Sequence, residues 1–96
     1  MAADTPAVLR RDDTLAFAGA LSREAVPALW PQALRAIDGT RRFDLSQVTS
    51  VDSAGLALLV ELALRAGGIA VEGDPPGLDG LRKAYRLSPS LHFAQA

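Results

Sequence analysis

The stretch Val51-Asp52-Ser53-Ala54-Gly55-Leu56-Ala57-Leu58-Leu59-Val60-Glu61-Leu62-Ala63-Leu64-Arg65-Ala66 decides how this chain reads. Asp52 is a strong helix N-cap, because its carboxylate can accept N–H bonds that a first helical turn cannot satisfy internally. Ser53 is then the first helical residue, at the positive end of the helix dipole. A phosphate on Ser53 would meet free N–H groups there, opposed by the neighbouring Asp52 charge. Gly55 carries no side chain, so another backbone or a partner can come close. Gly67-Gly68 stops the helix. From Leu56 onward only Glu61 and Arg65 are polar, four residues apart in the favourable acid-then-base order. Ala57 and Leu58 lie at the edges of that polar patch. A surface helix on one sheet needs an apolar stripe only somewhat wider than about 100°. A helix apolar nearly all round is either buried on two sides or covered by a partner, and in so small a chain the partner is the favoured reading. Local physics also allows a plainer one, in which Asp52-Ser53 does no more than cap the helix.

Outward from this helix, strands and helices alternate. Residues 7–10 form a short strand, Arg11-Asp12-Asp13 a turn, and residues 14–18 a second strand with Leu15 and Phe17 on one face, closed by Gly19. Ser22 is a candidate N-cap for a helix whose apolar face is Val26, Leu29, Trp30, Ala33, Leu34 and Ile37. Pro27 suits a first turn, whereas Pro31 falls inside and should bend or restart the helix before Gly39 caps it. Trp30, beside that proline, is a second candidate contact. Residues 42–46 are the third strand and 47–51 a loop. Residues 69–72 are the fourth strand, 73–77 a rigid Pro/Gly loop, and 78–87 a last helix with Leu78, Leu81, Tyr85 and Leu87 inward, ended by Pro89. The order β-β-α-β-α-β-α implies an α/β fold, with a mixed four-stranded central sheet flanked by helices. Residues 1–6 read as a frayed terminus and 92–96 as a flexible tail.

With 96 residues, there is room for one domain. Hydrophobic residues make up 49%, with 18 Ala and 15 Leu, so a small chain must cover an apolar surplus. Charged residues are 22% and the net charge is −1, which excludes a disordered chain and a polyanion binder. The chain has no Cys and a single His, so thiol catalysis, disulfides and Cys-ligated metals are excluded and other metal sites disfavoured. Arg10-Arg11 followed by residues 15–20 imitates a signal peptide. The intervening Asp12-Asp13 and the short apolar segment argue against that, and the longest apolar run is far short of a membrane span. A cytoplasmic protein, held at a membrane only through a partner, is the expectation.

Chemistry has little to stand on. Nucleophilic catalysis needs a base within reach of the hydroxyl, and the one His, His92, sits far down the chain from Ser53. Asp12-Asp13 reads as a solvated turn, and Asp74 and Asp79 as loop and helix-start residues. No zinc, calcium or P-loop pattern occurs. The expectation is a protein with no catalytic residues, no metal and no cofactor.

The strand ending Asp44-Leu45-Ser46, then Val51-Asp52-Ser53-Ala54-Gly55-Leu56 opening an apolar helix, resembles the STAS domain family across about residues 7–91. Leu29-Trp30 and Leu81-…-Tyr85-Arg86-Leu87 are similar to its MlaB branch, the STAS subunits of Mla-type phospholipid-transport ABC complexes in Gram-negative bacteria, which maintain outer-membrane lipid asymmetry. That resemblance implies a non-catalytic subunit bound to a cytoplasmic MlaF-like ATPase and, through it, to an inner-membrane MlaE-like permease. By position the resemblance maps the ATPase-contacting hydroxyl onto Ser53; with the helix start, the apolar helix and the tryptophan read above, the candidate partner-binding residues are Asp52, Ser53, Ala54, Gly55, Ala57, Leu58, Glu61 and Trp30. The family also contains anti-sigma factor antagonists, switched by phosphorylation of the serine that maps onto Ser53. Those commonly carry a G-E-[IL]-D run where this chain has Gly19-Ala20-Leu21-Ser22, so the resemblance to them is weaker.

Overall fold

The computed structural model describes residues 5–91; the readings of the first four residues as frayed and of 92–96, with His92, as a tail lie outside the described residues. The elements are β1 (Ala7–Arg11), β2 (Thr14–Leu21), α1 (Val26–Ala36), β3 (Arg42–Val51), α2 (Ser53–Ala66), β4 (Ala70–Glu72) and α3 (Leu78–Ala84). One mixed sheet runs in the order β1-β2-β3-β4, antiparallel between β1 and β2 and parallel thereafter. The expected fold class holds. Leu15, Phe17 and Leu21 of β2 and Phe43, Leu45, Val48 and Val51 of β3 are buried with Leu29, Ala33, Leu56, Leu59 and Leu62 of the helices in one core. Phe17 and Phe43 meet edge to face at 5.5 Å between ring centroids, the arrangement that aromatic quadrupoles favour.

Three strands are longer than the sequence pattern suggests, β1 only by Arg11, expected in the turn. β2 does not stop at Gly19 but runs through it, at φ 80°, to Leu21. Residues 47–51 are strand rather than loop, because the β2–β3 register shifts between Ala16 and Ala18 and again between Gly19 and Ala20. Each shift adds a residue to β3, so its buried positions pass from alternation at Phe43 and Leu45 to every third residue at Val48 and Val51. Strict period-2 reading cannot see such a strand. The gain in length carries the chain to Asp52 at the edge of the helical layer.

The helix ends also differ from expectation. α1 is capped by Ala25 with no side-chain hydrogen bond; the Ser22 carbonyl, not its hydroxyl, receives the Ala25 and Val26 N–H groups at 2.9 and 3.1 Å. The helix accommodates Pro31 and runs unbroken to Ala36, with Ile37 rather than Gly39 as its C-cap. α3 ends at Ala84, well before Pro89. Its stop is a Schellman motif: Leu87 N–H donates to Arg82 O at 2.8 Å and Arg86 N–H to Lys83 O at 3.1 Å. The left-handed position is Arg86, φ 56°, where glycine is usual, so no sequence signal marked it. The reversal buries Leu87, whereas Tyr85, expected inward, is 50% exposed.

Arg10 closes the other end of the α1 layer. Its guanidinium donates to the carbonyls of Ala36 and Asp38, the latter at 2.8 Å, and to Thr40 Oγ1 at 3.2 Å. The last carbonyls of a helix have no internal partner and carry partial negative charge, so this arginine ties α1 to the sheet edge. Thr40 is the buried polar residue it reaches. Arg10→Ala should lower stability by about 1–3 kcal/mol, the range for losing charged hydrogen bonds to partly buried acceptors, read as a shift of the urea midpoint with unchanged slope. A midpoint equal to the wild type would show that water replaces the guanidinium without cost.

Candidate functional site

The start of α2 is built by one carboxylate and one missing side chain. Asp52 leaves β3 in an extended conformation, and its Oδ1 accepts the Gly55 N–H at 2.9 Å. Its Oδ2 accepts the Arg23 N–H at 3.0 Å, from the turn before α1. Its own N–H donates to Leu21 O at 3.2 Å. These bonds hold the Asp52 carboxyl below the usual carboxylate range, the Gly55 N–H contributing most and the Arg23 N–H next, against some desolvation. Gly55 lies directly over β2, and a Cβ there would stand 2.0 Å from the Leu21 carbonyl oxygen. The close approach anticipated at this glycine is therefore made by the chain's own backbone.

The apolar circumference of α2 is used mainly within the domain. α2 packs against the sheet, α1 and α3, burying Gly55, Leu56, Leu58, Leu59, Val60, Leu62 and Ala63. Two-sided burial thus accounts for most of the surplus that the sequence suggested a partner would cover. Leu58, expected at the edge of the contact patch, is only 3% exposed. Neither it nor Gly55 can touch a molecule docked on the surface. Asp52, Ser53, Ala57 and Glu61 are exposed, and Ala54 is half-buried. Trp30 is half-buried against the core. The Arg65 guanidinium stands 5.5 Å from its ring centroid, a cation–π arrangement, and Arg65 also lies 3.7 Å from Glu61. Trp30, Arg65 and Glu61 therefore make one connected edge along α1 and α2.

Sequence reasoning missed the other edge. Beside Ser53, Ala57 and Glu61 runs a groove of about 350 Å³, lined also by Leu56, Val60, Leu64, Tyr85 and Leu87. Leu64 and Tyr85 are two of the large apolar side chains left exposed, at 54% and 50%. A helical projection could have found Leu64, which falls within the arc of Ser53, Ala57 and Glu61. Tyr85 could not be found that way, because whether the side of α3 that carries it is covered depends on how α3 packs beside α2.

The Ser53 hydroxyl has no hydrogen-bond partner among the described residues. No group of three His, Cys, Asp or Glu side chains that could hold a metal occurs among them. No helix among them is long and apolar enough to cross a membrane. The family model described as "Mlab, STAS domain" matches residues 7–89, which span every element of the sheet and all three helices. The chain belongs to the STAS domain family, in its MlaB branch. Among similar proteins is the intermembrane phospholipid transport system binding protein MlaB of Escherichia coli (strain K12), 35% identical over 83 residues that cover 82% of this chain and 86% of the relative. The protein of the same name in Shigella flexneri matches to the same extent. In this STAS domain the motif Asp52-Ser53-Ala54-Gly55 divides its labour: Asp52 and Gly55 build the helix start, and Ser53 is what it presents to solvent.

Proposed function

We propose that this chain is the non-catalytic STAS subunit of an Mla-type phospholipid-transport ABC complex, binding and supporting its cytoplasmic ATPase. The observation that carries the reading is the apolar groove that the described residues leave open alongside Ser53, Ala57 and Glu61, in a chain similar to phospholipid-transport MlaB proteins. Interfaces are typically anchored by apolar and aromatic side chains at their centre with a polar rim. Here Leu64 and Tyr85 supply the anchors and Ser53 and Glu61 the rim. The ATPase would in turn connect the subunit to an inner-membrane permease, placing it at the membrane without inserting.

Co-expression with the ATPase of a lipid ABC system should yield a co-purifying complex. Ser53→Arg places a bulky charge on the proposed face and should weaken that complex at least about tenfold, about 1.4 kcal/mol. Ser53 is exposed, so the free subunit should lose no more than about 1 kcal/mol, the usual effect of a misplaced charge at a helix start. A mutant complex that purifies like the wild type would show that the ATPase binds elsewhere.

A further inference from the structure

The Asp52 carboxylate joins two segments that are far apart in sequence. One oxygen holds the first turn of α2 through the Gly55 N–H, and the other holds the Ser22–Ala25 turn through the Arg23 N–H, at 2.9 and 3.0 Å. The second bond is unusual in what it replaces. α1 has no side-chain cap of its own, so the segment entering it is tied from outside, by a residue at the start of a different helix. The backbone bond from Asp52 N–H to Leu21 O anchors the same place at 3.2 Å. The turn that carries exposed Arg23 and Glu24 is thereby held to Asp52, the residue before exposed Ser53.

We propose that Asp52 is a positioning residue for partner binding, which fixes the Arg23–Glu24 turn against the start of α2 so that the ATPase subunit meets one preformed, composite surface. This rests on the docking face proposed above and extends it to a segment that no motif marks. A turn left loose would have to be ordered during association, and ordering exposed backbone costs affinity.

Asp52→Asn separates the two functions of the carboxylate. Asparagine caps helices about as well as aspartate, and its one carbonyl oxygen can keep the Gly55 N–H. Its amide nitrogen is a donor and cannot accept the Arg23 N–H. The variant should melt within a few degrees of the wild type while the Arg23 amide exchanges at least about tenfold faster. Its affinity for the purified ATPase subunit should fall about tenfold. Asp52→Ala should lower affinity likewise and, having lost the cap, also lower the melting temperature. Arg23→Glu, with Asp52 intact, should weaken binding at least about threefold by altering the turn's surface. If Ser53→Arg leaves the complex intact, the docking face itself is wrong. If Ser53→Arg disrupts binding while Asp52→Asn binds like the wild type, the face stands and the positioning role is overturned. Equal melting losses for Asp52→Asn and Asp52→Ala would also overturn it, by reducing Asp52 to a structural cap.

Discussion

Gly55→Ala is expected to destabilise the domain by more than about 3 kcal/mol, against the sign that helix propensity gives. Glycine inside a helix costs about 1 kcal/mol relative to alanine, so propensity alone forecasts a gain. The structure forecasts the reverse, because the added Cβ would stand 2.0 Å from Leu21 O, 2.8 Å from its carbonyl carbon and 2.9 Å from its Cβ. Two of these three atoms are backbone in the central strand β2, so no rotamer change relieves the overlap. α2 must lift off the sheet, and Leu56 and Leu59, packed beneath it in the core, lose their dispersion contacts as it does. Each kcal/mol corresponds to roughly 4–8 °C for a domain of this size. A thermal melt followed by circular dichroism should therefore show a fall of more than about 12 °C, or no folded protein. A midpoint at or above the wild-type value would show that α2 does not seat on β2 as described.

The second large effect is expected at the heart of the sheet. Phe43 is fully buried in β3 and meets Phe17 edge to face. Phe43→Ala removes most of the side chain's apolar area and leaves a cavity between sheet and helices, at a cost of about 3–5 kcal/mol. Total stability for a small domain is about 5–15 kcal/mol, so this one change removes a large share of it. Phe43→Leu keeps most of the volume and should cost less than about 2 kcal/mol. Urea unfolding of the pair distinguishes packing from mere hydrophobicity. Equal losses for the two variants would mean that the ring's shape and its partner Phe17, rather than the filled volume, carry the stability.

Gly55→Ala and the two Phe43 variants act on the fold, whereas Ser53→Arg and Asp52→Asn are aimed at the proposed binding face. That division follows the helix itself. One side of α2 is committed to β2, α1 and α3, and the strip through Ser53, Ala57, Glu61 and Leu64, with Arg65 at its edge, is exposed.

The order of elements was legible in the sequence because local signals and periodicity agreed. Asp52 as N-cap and Gly67, φ 81°, as the helix stop are determined by backbone groups a few residues away. The failures share one cause, dependence on distant neighbours. The register shifts in β3 exist only against β2. Ser22 is not the cap because α1 starts only at Val26, after a turn whose Arg23 N–H is bound by Asp52, 29 residues on. Whether Tyr85 is covered depends on how α3 packs beside α2, and Arg86 adopts a left-handed conformation that nothing in its side chain announces.

By itself, then, the sequence determined the α/β alternation, the start of α2 and the position of Ser53 on its exposed tip, since caps and hydrophobic periodicity act over a single turn. Only the tertiary structure decided how the apolar surface of α2 is shared. Burial between a sheet and two other helices depends on where those elements pack, and so do the groove at Leu64 and Tyr85 and the joining of the Arg23 turn to the start of α2.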